Sequence, residues 1–274
     1  MPISALLLTL CAAAIHAGWN LLLSAEEDVH SATAVAAMAG VLLFVPVAAL
    51  GWRLQASALP YVAGSSALEA LYLVLLATGY SVAAMGFVYP IARGSAPVVV
   101  LVISVIALGV SVSAVAAAGV LLVGIGVVLV SGPGPAGQRR DLALAVAVGT
   151  CIAGYTLVDK RGIAHAAPIA YLELVFGLAA IAYVIGVWRA RGATALRAAV
   201  SRSTLAAGVG FFAAYALTLA ALRLASAPAV AAVRESSVVI ATVALAIGSR
   251  EHVTAQRLAG AVVVVAGIAL ISLG

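Results

Sequence analysis

Arg93, Glu69, Arg234 and Glu235 stand in stretches too apolar to leave a charge without a task. Arg93 lies in Tyr89-Pro90-Ile91-Ala92-Arg93-Gly94-Ser95-Ala96-Pro97, inside an apolar run from about Ser81 to Leu108. Glu69 falls midway along a second apolar run, and Arg234 and Glu235 are adjacent in a third. A charge at the centre of a bilayer costs about 2.5–3.5 kcal/mol on insertion scales, so such groups pair, face water or hold a ligand. An arginine fork recognises carboxylate or phosphate oxygens. A carboxylate buried nearby can exchange a proton near neutral pH. The chemistry on offer is therefore anion recognition and proton exchange. Pro90 removes a backbone donor and Gly94 adds freedom. Together they predict a discontinuous helix at mid-membrane depth, the arrangement in which many secondary transporters build a substrate site.

Helical spacing groups further side chains with these charges. Tyr89, Arg93 and Pro97 share one face, and His16 and Asn20 share another with Trp19 beside them. Ser65, Glu69 and Tyr72 align, as do Cys151, Tyr155 and Asp159, and Phe211, Tyr215 and Thr218. Polar and aromatic residues recurring on so many helices predict one shared cavity. The candidate substrate-binding residues are Arg93, Tyr89, Arg234, Trp19, Asn20, His16, Tyr155 and Tyr215. Glu69 and Glu235 are the candidates for proton coupling. A purely structural pairing of the four charges is the competing reading. Trp19 can also be an interfacial aromatic, and His16 a hydrogen-bonded structural residue.

The elements that must carry these residues follow from composition. The 274 residues are 65% hydrophobic and 8% charged, against about 25% charged for soluble domains. The mean hydropathy is +1.24. The chain reads as an integral membrane protein with no separate soluble domain. A spanning helix needs roughly 20 apolar residues. Ten segments qualify: 3–23, 31–52, 57–78, 81–108, 112–131, 141–159, 167–188, 203–222, 226–248 and 255–273. The first is long enough to span and lacks a basic n-region, so it reads as a helix and not as a signal peptide. Helices 2, 5, 7 and 10 are nearly all small and aliphatic and read as scaffold. Glu173 in helix 7 is expected near the interface. Cys11 and Cys151 both read as small buried thiols.

The net charge of +5 sits mostly in short loops, so anionic lipid is the expected neighbour, with no nucleic-acid partner. Arginine supplies all of the 14 basic residues except Lys160. With abundant Ala, Val and Gly, that composition points to a GC-rich bacterial genome and a multi-pass protein of the bacterial inner membrane. No nucleotide-binding G-x-x-x-x-G-K-[ST] loop, H-E-x-x-H, C-x-x-C or G-x-S-x-G motif occurs, so neither an enzyme nor a cofactor or metal site is expected.

The two halves of the chain repeat. Ala17-Gly18-Trp19-Asn20-Leu21 matches Ala153-Gly154-Tyr155-Thr156-Leu157. Gly119, Gly126, Leu129 and Ser131 match Gly260, Gly267, Leu270 and Ser272. The predicted organisation is a first five-helix repeat over 1–131, a Gly/Pro linker over 132–140 and a second repeat over 141–274. Five helices per half insert the second half upside down, giving an inverted repeat with a site between the halves.

The same residues resemble a known family. His16-Ala17-Gly18-Trp19-Asn20 looks like an H-A-x-W-N motif, and Tyr89 to Pro97 resembles Y-P-L-A-R-G-x-x-P. Val233-Arg234-Glu235-Ser236-Ser237 with Gly248, Glu251, Arg257, Gly260 and Gly267 resembles the end of a second repeat. The family is the EamA branch of the drug/metabolite transporter superfamily. The resemblance implies ten helices, two EamA repeats, and export or exchange of small metabolites. The first repeat departs from it at Val110-Ser111-Val112, where many members carry a glutamate as the second repeat does at Glu251.

The expected protein is thus an all-α polytopic bundle that moves a small polar organic metabolite by alternating access, with proton coupling through Glu69 or Glu235. It is expected as a monomer or homodimer. The alternative is a non-transporting membrane sensor or assembly factor. Orientation is contested. With a cytoplasmic N-terminus, Arg53, Lys160, Arg161 and Arg223 fall inside, while Arg139, Arg140, Arg189, Arg191, Arg197, Arg202, Arg250 and Arg257 fall outside. The positive-inside rule then places both termini outside, and the family resemblance places both inside.

Overall fold

In hydrocarbon a helix satisfies every backbone amide within its own segment, and the apolar runs of this chain adopt that solution in the computed structural model. It describes residues 1–82, 85–131, 139–249 and 254–274. In chain order the helices are α1 (Ile3–Ser24), α2 (Val29–Leu50), α3 (Leu59–Val82), α4 (Met85–Val102), α5 (Ala114–Ser131), α6 (Arg139–Gly162), α7 (Pro168–Ala198), α8 (Arg202–Leu224), α9 (Ala227–Arg234), α10 (Ser236–Ser249) and α11 (Ala255–Leu273). Helices α9 and α10 form one broken span. Among the described residues nine spans are long and apolar enough to cross a membrane, and the apolar stretch Ile91–Ala107, from within α4 through the turn that follows it, supplies a shorter tenth. An even number of crossings returns the chain to its starting side. The Met1 ammonium accordingly donates to the carbonyls of Ile271 and Ser272, each at 3.4 Å.

The packed pairs of helices share one pattern. α1 lies against α8 and α3 against α6; α2 lies against α8 and α3 against α7; α4 lies against α6 and α1 against α9 and α10. Exchanging each span with the one five places on converts the first member of each pair into the second. α2 with α7, α4 with α9, and α5 with α11 map onto themselves. The α5–α11 contact shows the geometry. A Cβ on Gly119 would stand 2.6 Å from the Gly267 carbonyl oxygen, and one on Gly126 2.9 Å from that of Gly260. The early glycine of one helix meets the late glycine of the other, so the two run antiparallel with their backbones in contact, as small residues permit in lipid.

Several expectations are corrected here. Helix 4 is not broken at Pro90–Gly94. Ser81 and Val82 belong to α3, and α4 runs unbroken through both residues until a π-helical turn at Ile103–Ala107. α4 continues through Pro90, its sixth residue, giving up one backbone hydrogen bond there. Gly94 serves packing, since its Cβ would come 2.7 Å from the Gly124 carbonyl oxygen of α5. Helix 7 continues past residue 188 to Ala198, interrupted by Gly192 at φ 81°, a conformation favoured only by glycine. Glu173 is buried and Cys11 is exposed on the outer face. The linker residues 132–138 and Glu251 lie outside the described residues.

One end of the bundle, which carries both termini and the turns after α2, α4, α6 and α8, is closed by cross-ties. Gln55 N–H donates to the His165 carbonyl at 2.9 Å and Ala167 N–H to that of Arg53 at 2.7 Å. Tyr61 stacks on His165 at 5.7 Å. Arg223 donates to the carbonyls of Ile163, at 2.9 Å, and Ala166. The Lys160 ammonium donates to those of Ala225, at 3.1 Å, and Leu222.

Candidate functional site

A cavity of about 490 Å³ runs from the middle of the bundle toward the end opposite the termini, where Ser24 and Val29 rim it. His16, Trp19, Asn20, Glu69, Arg93, Tyr155, Tyr215 and Arg234 all line it. Eight of the ten residues singled out in the sequence therefore share one space. Glu235 stands behind the wall, and the Tyr89 side chain lies outside the described residues. α5 and α11 contribute no lining residue. α2 and α7 are not scaffold alone, because Val29 and Thr33 of α2 and Phe176 of α7 reach the cavity.

The break between α9 and α10 creates the charge arrangement. Glu235 N–H bonds to the Ala232 carbonyl and Val238 N–H to that of Glu235, both at 3.0 Å. These bonds, one residue shorter than α-helical spacing, tighten the backbone at mid-span. Consecutive side chains then part company. Glu235 turns to α4, where its carboxylate lies 2.8 Å from Arg93 Nε. Arg93 Nη2 also donates to Ser237 Oγ at 3.0 Å. Both charges are almost wholly buried, so the pair compensates what each alone would cost.

Arg234 turns to the cavity. Its guanidinium carbon lies 5.9 Å from the centroid of the Tyr215 ring, within cation–π range. Among the described residues its Nε and Nη2 have no hydrogen-bond partner, although the side chain is buried. Trp19 Nε1 is in the same condition. Buried donors are normally satisfied, so unserved N–H groups in a cavity wall are places for a ligand's oxygens. Glu69, on the α3 wall, makes no ion pair among the described residues.

Aromatic rings complete the wall. His16 meets Trp19 at 4.8 Å and Trp19 meets Phe211 at 5.1 Å, both edge to face. Phe176 stacks on Phe211 at 4.7 Å and on Tyr215 at 5.2 Å. Tyr155 then joins Tyr215 at 5.9 Å and Tyr72 at 6.1 Å. Asn20 Nδ2 donates to the His16 carbonyl at 2.9 Å, which fixes its amide along α1. Spacing aligned Tyr72 with Glu69, whereas nothing in the sequence around Phe176 distinguishes it from a packing residue.

Below the cavity floor lies Asp159, a buried carboxylate that the count of four mid-membrane charges left out. It is 0% exposed. Tyr171 donates to its Oδ1 at 2.9 Å and Tyr215 to its Oδ2. Its alignment with Tyr155 was the signal in the sequence. Among the described residues no group of three His, Cys, Asp or Glu side chains could hold a metal ion.

A crystal structure, described only as that of a protein, superposes with a TM-score of 0.76 over 98% of both chains at 16% identity. At that identity the likeness is one of fold. No curated protein matches the chain in sequence. Residues 140–273 match the model of the EamA-like transporter family, the family that the motifs of both halves resemble. The second half of the chain thus matches the EamA-like transporter family, and with its apolar spans the protein is a multi-pass membrane transporter of the drug/metabolite type.

Proposed function

We propose that the protein is a secondary transporter of a small organic metabolite that carries a carboxylate or similar anionic group. It works as an exporter or exchanger by alternating access of two inverted repeats in a bacterial inner membrane. The observation that carries this reading is Arg234, a buried cation with two unserved N–H groups in the wall of a 490 Å³ cavity. Arg93 was the first candidate for the anion, but its charge is already met by Glu235. It acts as the partner that holds α4 against the α9–α10 break. A planar fork on Arg234 recognises two oxygens at once, and Trp19 Nε1 adds a third donor. The ligand's body lies along Phe211, Phe176 and Tyr215. Glu69, which faces the cavity and makes no ion pair among the described residues, is the proton-coupling carboxylate. The inverted repeat is supported by the exchange symmetry of the packed pairs and by the antiparallel Gly119–Gly267 and Gly126–Gly260 contacts.

The test is a thermal-shift screen of small organic acids on purified protein. A ligand that binds the folded state at 100 times its Kd stabilises it by about 2.7 kcal/mol. At least one acid is expected to raise the Tm of the parent and leave Arg234→Ala unmoved. Equal shifts in parent and variant would contradict the assignment of Arg234.

A further inference from the structure

Asp159 is a fully buried carboxylate to which the reading above gives no task. We infer that Asp159 is a positioning residue that links occupancy of the cavity to closure of the terminal end, through the hydroxyl of Tyr215. The inference rests on the alternating-access reading.

Three observations carry it. First, Asp159 makes no ion pair among the described residues. Its two oxygens instead accept the hydroxyls of Tyr171 and Tyr215, so α6, α7 and α8 meet at one carboxylate. A hydrogen bond to a charged acceptor is among the stronger kinds. Second, Tyr215 belongs to two places. Its ring is cavity wall, stacked on Phe176 and beneath the Arg234 guanidinium, while its hydroxyl serves Asp159. Third, Asp159 stands at the root of the closed end. Its backbone carbonyl accepts from Ile163 N–H at 2.9 Å. The adjacent Lys160 holds the end of α8, and Arg223 holds the turn between α6 and α7. Tyr171 reaches Asp159 only because residue 162 is glycine, since a Cβ there would lie 2.4 Å from the Tyr171 ring.

The coupling follows. A ligand anion drawn to Arg234 and a ligand body against the Tyr215 ring both bear on that side chain. When the ring shifts, its hydroxyl leaves Asp159. A buried carboxylate that loses a donor is left with an unmet acceptor, and opening the terminal end to water meets it. With the cavity empty, the two tyrosines keep that end shut.

The link can be read without substrate or flux. Ala227, 5% exposed at the terminal end of α9, is replaced by cysteine with Cys11→Ala, and native Cys151, also buried, is the internal control. The rate of maleimide labelling at position 227 is measured in purified protein. Tyr215→Phe and Asp159→Asn are each expected to raise it about tenfold, and the double variant no further, with Cys151 labelling unchanged. Tyr171→Phe, which removes only a hydroxyl, is expected to act in the same direction. Unchanged labelling at 227 in folded variants would overturn the inference. So would an equal rise at Cys151, which means general loosening, or effects that add in the double variant. If labelling follows this pattern while no flux is found for any solute, the tie from Tyr215 through Asp159 to the terminal end holds and the transport reading fails.

Discussion

Arg93 and Arg234 are alike in sequence, each an arginine deep in an apolar run, and the structure gives them opposite situations. Arg93 is half of a buried ion pair. Removing one partner of such a pair costs about 3–5 kcal/mol, because the other charge is left uncompensated. Arg93→Ala is therefore expected to lower the Tm sharply, and Arg93→Ala with Glu235→Gln to recover most of the loss. Equal destabilisation of the single and double variants would deny the pairing. That the charges lie deep was legible from hydropathy alone. Which charge meets which was not, because Arg93 and Glu235 are brought together by a helix break that no motif marks. Asp159 was missed for a related reason. Beside Lys160 and Arg161 it reads as the polar end of a helix, and it is buried by Tyr171, crossing over Gly162, together with Tyr215. Outside the spans, Asp28 caps α2 and pairs with Arg191 at 2.8 Å. Burial opposes its charged form, but the Ser31 hydrogen bonds and the Arg191 guanidinium outweigh that and hold its carboxyl below the usual carboxylate range. A lowered folded-state pKa contributes stability above the unfolded value and loses it as pH falls through the folded one. The stability gap between parent and Asp28→Ala, about 0.5–2 kcal/mol for a cap, is expected to hold down to about pH 5 and to shrink below about pH 4. A gap indifferent to pH would contradict the charged cap. The ion pair itself is partly exposed, so it adds little.

Among the elements, α5 and α11 meet backbone against backbone, and glycine makes it possible. A Cβ on Gly267 would meet the Gly119 carbonyl oxygen at 2.7 Å and Val123 N at 3.0 Å. Both are backbone atoms that no rotamer change can move. Gly267→Ala is expected to destabilise by about 1–3 kcal/mol, the usual cost of overpacking. Gly186, with nothing within 4 Å of its would-be Cβ, is expected to accept alanine with no loss, since glycine inside a helix costs about 0.5–1 kcal/mol relative to alanine. Thermal unfolding of the two variants checks the contrast. Ten apolar spans and the pairing of Gly119 and Gly126 with Gly260 and Gly267 as repeat equivalents could be read directly from the sequence. Pro90 and Gly94 point to a break in the fourth span, whereas it lies in the ninth, between α9 and α10. They read as a hinge, yet α4 runs through Pro90 at the loss of one backbone hydrogen bond, and the glycine allows the approach of Gly124. The real interruption follows Arg234, where the sequence Arg-Glu-Ser-Ser has neither proline nor glycine.

At the scale of the whole molecule, one end is tied shut and the cavity reaches toward the other. The basic residues Arg139, Arg140, Arg189, Arg191, Arg197, Arg202 and Arg257 fall at the cavity's end. The positive-inside rule puts that end in the cytoplasm and the termini outside. A reporter fused at Gly274 and active in the cytoplasm would contradict this. If Glu69 carries the coupled proton, flux in vesicles is expected to follow an imposed pH gradient and Glu69→Gln to abolish that response while leaving exchange intact. Flux indifferent to the gradient in the parent would remove Glu69 from the mechanism. The central claim is that this cavity binds and moves an organic anion through Arg234. The measurement that bears on it most directly is exchange of radiolabelled small organic acids in proteoliposomes, with parent, Arg234→Ala and Gly186→Ala at equal protein content. The account predicts saturable exchange of at least one acid by the parent and by Gly186→Ala, and a loss of at least about tenfold in Arg234→Ala, the factor that 1.4 kcal/mol of binding makes. Exchange of every acid by Arg234→Ala at the parent's rate would contradict it.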